Sequence, residues 1–555
     1  MARINIIPYP WRMVWVDRIV GEIKERFAEK ISKKQTLVIR DEKTLSGRVH
    51  IGSLRGIAIH GLIAEVLSEQ KIANVFRFEL NDFDPMDEIP RTLERSTYEN
   101  FMGQPLYTVP PHEKTADTYP LVFGTELQEV VKQIGFPLEY YRLEPEYKAG
   151  KFNEVIAEAL NHAAEIRAIY KEVSGSVKPD DWFPLQVICE RCGKVGTTQV
   201  TSWDPSASSG QAGSPGLVTY HCKEDLVKWA KGCGNQGTVS PFDGNAKLPW
   251  KVEWPAKWKV FGVDIEGAGK DHSAAGGSRE IGKRIAEEVF HYPEPFDIPY
   301  EFFNIGGKKM SASKGLGASA KEISDLLPPT QLRLLMIRKL PNQPIDFDPE
   351  GTTIPTLFDE YDRLADHEFK RHDKPEPDFG RIFELSQRDF PKKPQDIWHM
   401  RFSLAAFLAQ MPHLNAVEEA EQLTGGPLNP AERKNMEERI EYAKKWIEEY
   451  APEKFRFVLE KNAASDDPKR FAPDVAKALG TLLKNLEGIP HNQWTGPTIH
   501  ETIHKVKEEL KIQPKILFEP IYQMFLNRSD GPQAGWFLST LKRDDVLKRM
   551  KYYTN

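Results

Sequence analysis

A chain of 555 residues is longer than one hydrophobic core organises, so about two to four domains are expected. With 40% hydrophobic and 28% charged residues it has the composition of an ordinary globular protein, which excludes a disordered or fibrous chain. A net charge of −6 excludes a general basic coat but leaves room for a local basic strip.

Residues 1–35 read as a helical lead-in, with Val14, Ile19 and Ile23 on one face. The segment lacks the apolar core and small-residue cleavage site of a signal peptide. No run of roughly 18 uninterrupted apolar residues occurs, so a cytoplasmic chain without a membrane span is expected. TLVIR (36–40) reads as a buried strand, DEKTLSGRVHIGS as a polar loop, and Leu54 to Gln70 as a helix of period 3.6. A second strand, NVFRFEL (74–80), ends in NDFDP. This order opens a doubly wound α/β sheet, because parallel strands need crossovers. A cysteine-bearing segment, 181–245, contains the small-residue loop SASSGQAGSPG. The α/β pattern then resumes with FGVDIEG (261–267) as a strand, 278–290 as a helix and YEFFNI (300–305) as a strand. Beyond 326 the periodicity is helical; in PTIHETIHKVKEEL, Pro497 suits the first turn and Ile499, Ile503, Val506 and Leu510 form one stripe. The expected architecture is a Rossmann-type doubly wound parallel sheet of α/β class. Its halves are 36–180 and 246–325, with 181–245 inserted as a zinc ribbon. A connecting helical domain, 326–390, and an all-α helix bundle, 391–555, follow.

Three motifs carry chemistry. Thr44-Leu-Ser46-Gly47-Arg-Val-His50-Ile-Gly52-Ser53 stands where a strand meets a helix N-terminus, a natural phosphate position. Its glycines allow close backbone approach and His50 is a donor. Lys308-Lys309-Met310-Ser311-Ala312-Ser313-Lys314-Gly315 packs cations and hydroxyls into a short loop suited to a polyphosphate. Singly, the first reads as well as a structural turn and the second as a solvated basic loop. Together they fall at carboxyl ends of strands in one sheet, where ligands of such sheets bind. The third motif holds all four cysteines, C-x2-C-x29-C-x10-C: Cys189, Cys192, Cys222 and Cys233. Four thiolates complete a closed tetrahedron and point to structural Zn2+. His221 is the alternative to Cys222.

The first two motifs resemble the paired HIGH and KMSKS signatures of class I aminoacyl-tRNA synthetases. HIGS (50–53) and KMSAS (309–313) are the matching stretches, with Ser53 and Ala312 departing from the family and Lys314 placed to supply the missing charge. The surrounding blocks resemble the class I lysyl-tRNA synthetases over most of the chain: SGRVHIGSLRG (46–56), NDFDP (81–85), EWPAKW (253–258), GKDHSAAGGS (269–278), PNQPIDFDP (341–349), DEYDR (359–363) and GWFLSTL (535–541).

This resemblance implies an ATP-dependent lysine–tRNA ligase. Lysine would be activated to lysyl-adenylate and passed to the 3′-terminal ribose of tRNA(Lys). Mg2+ would accompany ATP, and a monomer is the expectation. The implied catalytic set is His50, Gly52, Ser53, Lys309, Met310, Ser311, Ser313 and Lys314. ATP would lie on Ser46, Gly47, His50, Gly52, Gly269, Lys270, Asp271, Lys309 and Lys314. A lysine pocket needs anionic or aromatic walls, because buried charge must be paired. Thr44, Asp82, Asp84, Trp254, Trp258, His272 and Tyr300 are its candidates, the tryptophans being equally good core residues. Glu42 stands where many family members have glycine. Toward the C-terminus Arg528, Lys542 and Arg543 beside Trp536 would contact tRNA. A class I synthetase for another amino acid, and a non-catalytic RNA-binding derivative, stay open as alternatives.

Overall fold

In a computed structural model, which describes residues 14–207, 216–306, 308–309 (backbone), 319–371, 373–374, 376–411, 414–459 and 470–554, helix α1 (Trp15–Arg26) precedes strand β1 (Leu37–Thr44). Val16, Ile19 and Ile23 of α1 are buried, and α1 packs on helix α2 (Leu54–Glu69). Every residue of α2 from Leu54 to Leu67 is buried, Arg55, His60 and Glu65 included. By length and composition Ile51–Glu69 passes for a membrane span, yet 83% of its apolar window is buried inside the protein. It is the central core helix.

Strand β2 (Asn74–Asn81) pairs parallel to β1 from Leu37↔Asn74 to Thr44↔Asn81, and β3 (Glu139–Arg142) pairs parallel to β2. The expected strand at 261–267 is corrected. A helix, Trp250–Phe261, runs through Phe261 and is closed by Gly262 in the left-handed region (φ +65°), where a side chain is strained. Only then does the chain extend. Ile265 bridges in parallel both to Ile39 of β1 and to Phe296, and Gly269 bridges to Tyr300. The parallel layer thus reads β3–β2–β1, then 264–269, then 296–300. The chain order reverses between β1 and 264–269, the switch point at which such sheets bind ligands.

The cysteine segment forms its own antiparallel sheet of β4 (Thr198–Asp204), β5 (Leu217–Cys222) and β6 (Gln236–Val239). Beyond helix Ser278–Glu288, β7 (Phe303–Ile305) pairs parallel to β8 (Ile345–Phe347) and antiparallel to Lys308–Lys309.

The chain divides into two units, Met1–Phe347 with Arg363–Gln395, and Asp348–Asp362 with Asp396–Asn555. The stretch 326–390 is therefore not a domain of its own, since most of it packs into the first unit. Its helix Pro329–Ile337 lies against α2 there. The described residues of the second unit are helices and loops. Asn429 caps Pro430–Glu449 in a reciprocal box with Glu432, and Pro430 occupies its first turn. Ile499, Ile503 and Val506 are fully buried against Leu479, Leu482, Leu517 and Phe537.

One buried pair ties α2 to Pro329–Ile337. Arg333, fully buried, donates to Glu65 at 2.6 Å and to the Leu385 carbonyl at 2.9 Å. Breaking such a pair leaves a buried charge uncompensated. Arg333→Met is expected to destabilise the first unit by roughly 3–5 kcal/mol in denaturant unfolding, and Arg333→Met with Glu65→Leu to recover much of that loss.

Candidate active site

The carboxyl ends of β1 and of 264–269 open a cavity of about 210 Å³ lined by Asp41, Glu42, Lys43, Thr44, Trp250, Trp254, Glu266–Gly269, His272 and Tyr300. Three carboxylates and four aromatic or imidazole rings face one small space. Trp254 lies edge-on to His272, with ring centroids 5.9 Å apart. Trp250 meets His272 at 5.6 Å.

Beneath the cavity is a buried ionic network. Arg40 donates to Glu79 at 2.7 Å, to Glu266 at 2.7 Å and to Glu42. Lys257 meets Glu79 at 2.6 Å, Glu42 at 2.8 Å and Glu253 at 3.1 Å. Lys247 pairs with Glu253 at 2.7 Å and Asp84 at 2.9 Å. Five carboxylates are thus bonded to three cations. Burial opposes the ionisation of Glu42, but Lys257 and Arg40 outweigh it and hold its carboxyl well below the usual range. Burial pushes Glu79 and Glu266 up instead, against the pull of Lys257 and Arg40. Both indole N–H groups of the WPAKW block go to Glu266, Trp254 at 3.0 Å and Trp258 at 2.9 Å.

His60 joins the two strands. Gly267 N–H donates to its Nε2 at 2.8 Å, so Nδ1 carries the proton toward Gly56 O at 2.8 Å and Asp41 at 3.3 Å. Gly56 is sterically required here. A Cβ on it would lie 2.5 Å from Asp41 Oδ2 and 2.8 Å from Tyr300 Oη.

His50 caps the first loop, just ahead of the turn Ile51–Ser53. Its Nδ1 is buried with no hydrogen-bond partner among the described residues. Burial, and then the Lys43 charge, push its pKa down to about 4, so it is neutral at pH 7. The end of the second loop reaches this point: Ala320 N–H donates to Val49 O at 2.8 Å, and His50 bridges to Ser319. At its other end, the Lys309 backbone pairs with Asn304 of β7, and β7 packs against Ile51–Ser53. Both ends of the second loop are therefore anchored beside the first. Met310, Ser311, Ser313 and Lys314 lie outside the described residues.

Several expected residues sit elsewhere. Asp82 is fully buried and faces Arg142 at 2.7 Å and the Glu144 N–H at 3.0 Å, anchoring the helix Leu143–Lys148 rather than lining the cavity. Asp84 lies one layer back, accepting from Thr44 Oγ1 at 2.7 Å. Trp258 is core, with Arg279 4.8 Å over its ring. Lys270 pairs with Glu301 at 2.7 Å beside Gly269. Ser46 carries its carbonyl to Tyr119 Oη at 2.8 Å, and Gly47 abuts Pro90. In the second unit, Arg528 donates to the carbonyls of Glu453 (2.7 Å) and Arg456, and Arg543 to those of Glu487 (2.7 Å) and Ile489 (3.1 Å). These guanidiniums brace the unit. Lys542 is exposed and Trp536 is 40% exposed.

The four thiol sulfurs lie within 4.8 Å of one another. Cys189–Cys233 at 3.6 Å and Cys192–Cys222 at 3.7 Å match the edge of about 3.8 Å set by a tetrahedron of Zn–S bonds. Motif reading missed Arg40, Glu79, Lys247, Glu253, Lys257 and Glu266. The available signal was a charge inside strands that otherwise read as buried, Arg40 in TLVIR and Glu79 in NVFRFEL.

A family model described as tRNA synthetases class I (K) matches residues 13–389, and one described as an anticodon binding domain matches 418–554. The chain is 30% identical to a lysine–tRNA ligase of Methanocaldococcus jannaschii over 98% of this chain and 100% of that protein. It is 31% identical to lysine–tRNA ligases of Thermoplasma acidophilum (91% and 94%) and Archaeoglobus fulgidus (97% and 99%).

The depressed His50 pKa has a stability consequence. Between about 6.5 and about 4 the unfolded chain holds a proton on His50 that the folded chain lacks, so stability falls as pH drops through this window. His50→Gln is expected to remove about one proton from the acid-side pH dependence of unfolding, read by denaturation at several pH values.

Proposed function

The chain belongs to the class I lysine–tRNA ligases, and from that membership we propose how its own residues carry out the reaction. The chemistry is ATP-dependent activation of lysine followed by transfer to tRNA. The lysine carboxylate attacks the α-phosphorus and pyrophosphate leaves. A terminal ribose hydroxyl of tRNA then attacks the activated carbonyl and displaces AMP. The substrate brings its own nucleophile, so the protein supplies positioning and charge stabilisation.

One observation carries the pocket assignment: the cavity at the switch point is walled by Asp41, Glu42 and Glu266 together with Trp254 and Tyr300. A lysine side chain is a flexible apolar stem ending in a cation, and carboxylates with aromatic faces suit both parts. The excess of carboxylates below the cavity favours a cation entering from outside and disfavours glutamate. Thr44 and His272 complete the amino-acid side, with Gly269, Lys270 and Asp271 toward the nucleotide.

His50 acts on the triphosphate. Support comes from its Nδ1, which has no partner among the described residues, its neutral state, and the anchoring of the second loop's end at Val49 and Ser319. Lys309 and Lys314 would approach the leaving pyrophosphate from that loop, with Ser311 and Ser313 as donors. Mg2+ accompanying ATP would neutralise part of the phosphate charge. Cys189, Cys192, Cys222 and Cys233 would hold one Zn2+ in a closed, structural set, which the sulfur spacings fit.

Lysine-dependent ATP–pyrophosphate exchange is the direct test. Of the twenty amino acids, lysine alone should support it; exchange driven by glutamate or arginine instead would sink the pocket assignment. His50→Ala should lower exchange by roughly 10²–10³-fold while tRNA binding stays nearly intact. Metal analysis should find about one zinc per chain, lost in Cys192→Ser.

A further inference from the structure

The wall of the cavity at the switch point carries a cation. Among the described residues that line it, Lys43 is the only lysine or arginine. Asp41, Glu42 and Glu266 line the same space. An ammonium in the wall of a pocket for a cationic side chain would repel that side chain, so it has to face an anionic part of the substrates. We propose that Lys43 is a catalytic residue of the activation step, its ammonium donating to the α-phosphate of ATP as pyrophosphate leaves. The inference rests on the reading of this cavity as the site of lysine activation.

Strand alternation sets the direction of the side chain. Successive residues of β1 point to opposite faces of the sheet. Arg40 and Glu42 bond to one another, and Thr44 Oγ1 donates to Asp84 at 2.7 Å, so these three face the ion network and, through Glu266, the tryptophans. Asp41 faces the other way. Its carboxylate lies 3.3 Å from His60 Nδ1 and would be 2.5 Å from a Cβ on Gly56, both residues of α2. Lys43 shares the face of Asp41, two residues nearer the loop that carries His50. The two groups sense each other, since the Lys43 charge adds to burial in keeping His50 neutral. Lys43 therefore stands on the side of the strand that holds the residue assigned to the triphosphate.

Its ammonium is also free to act. Lys43 is half-buried, and among the described residues it makes neither an ion pair nor a side-chain hydrogen bond; Asp41 acts on it only at longer range. The lysines of the network behave differently. Lys247 meets Asp84 and Glu253, and Lys257 meets Glu42, Glu79 and Glu253, all within 3.1 Å. Burial lowers Lys43 from the ordinary lysine range. An ammonium drawn from water without a partner is a cost to the folded protein, and a phosphate oxygen entering the cavity offsets it with a charge-assisted hydrogen bond. The second loop supplies a reason from sequence: it has Ala312 where the signature it resembles has a lysine. Lys43 places a cation on a strand, beside the loop to which both ends of that second loop are anchored.

The step balances without proton transfer. A carboxylate oxygen of lysine forms a bond to the α-phosphorus, the bond from that phosphorus to the bridging oxygen breaks, and pyrophosphate leaves with the electron pair. Lys43 keeps its proton throughout. Its hydrogen bond strengthens as negative charge gathers on the α-phosphate oxygens, and a donor already held in place costs no reorganisation at that moment.

The test removes the charge and keeps the stem. In Lys43→Met, kcat for lysine-dependent ATP–pyrophosphate exchange should fall by roughly 10²–10³-fold. Its Kd for lysine, read without ATP from quenching of tryptophan fluorescence, should weaken by no more than about threefold, which reports a folded pocket and a loss confined to the reacting state. Lys43→Arg retains a cation and should recover at least about tenfold of the lost rate. ATP with sulfur on the α-phosphorus gives a readout that a structural role would not move. The preference of the unaltered protein between its two diastereomers should shrink in Lys43→Met, because a group that distinguishes the α-oxygens is gone, while a preference at the β-phosphorus should not change.

A kcat for Lys43→Met within about threefold of the unaltered value would overturn the proposal. A loss confined to lysine affinity would overturn it in favour of a contact with the amino acid's own carboxylate. Equal impairment of the Met and Arg variants, or an unchanged diastereomer preference, would overturn it in favour of a packing role. Absence of lysine-dependent exchange in the unaltered protein is a different failure, because it removes the activation reading itself, and this inference falls with it.

Discussion

The ion network of Arg40, Glu79, Lys257 and Glu266 is the constraint on which the site depends. It lies where chain order reverses between β1 and 264–269, and nearly all its members are fully buried. Charges without water must find partners, and each partner here comes from a different element. Arg40 is on β1, Glu79 on β2, Lys257 on the helix Trp250–Phe261, and Glu266 on the extended segment that follows it. Shifting any of these elements by one residue would strand a charge in the core. The network therefore fixes the register of the strands whose ends form the cavity. Its unequal complement, five carboxylates bonded to three cations, sets the electrostatic character of that cavity.

The tryptophans belong to the same arrangement. Trp254 and Trp258 both satisfy their N–H groups on Glu266, yet one faces the cavity and the other the core. Arg279 covers both rings and donates to the Glu266 carbonyl at 2.6 Å. A pocket wall supported this way has its rotamers held by packing and by hydrogen bonds at once. That is the condition for holding a substrate without reorganisation at the moment of reaction. Trp250, one turn earlier, lacks that support and stands 45% exposed.

The ends of the two motif-bearing loops are joined by a different route. Val49 and His50 are tied by backbone bridges to Ala320 and Ser319, while Lys309 is tied through β7 to the neighbourhood of Ile51–Ser53. Backbone hydrogen bonds do not depend on side-chain identity. The departure at Ser53 therefore leaves these backbone ties untouched.

Local order determined much by itself. Alternating apolar strands and helices of period 3.6 placed β1, α2 and β2 to within a few residues, because burial of one face is written directly into side-chain spacing. The cysteine spacing placed four thiols that lie within 4.8 Å of one another. Motif order carried the family. What local order did not decide was which polar residues face the cavity and which face one another. Asp82 and Asp84 sit in one turn, yet Asp82 anchors a helix and Asp84 meets Lys247 across the fold. Arg528 and Arg543, two cations in a basic C-terminal stretch, satisfy carbonyls of Glu453 and Glu487 far back in the chain. The strand expected at 261–267 begins only past Gly262, whose left-handed conformation closes the helix that runs through Phe261. For each of these charges the deciding partner is distant in sequence. A charge's role is set by the group that offsets its desolvation, and only the tertiary structure says which group that is.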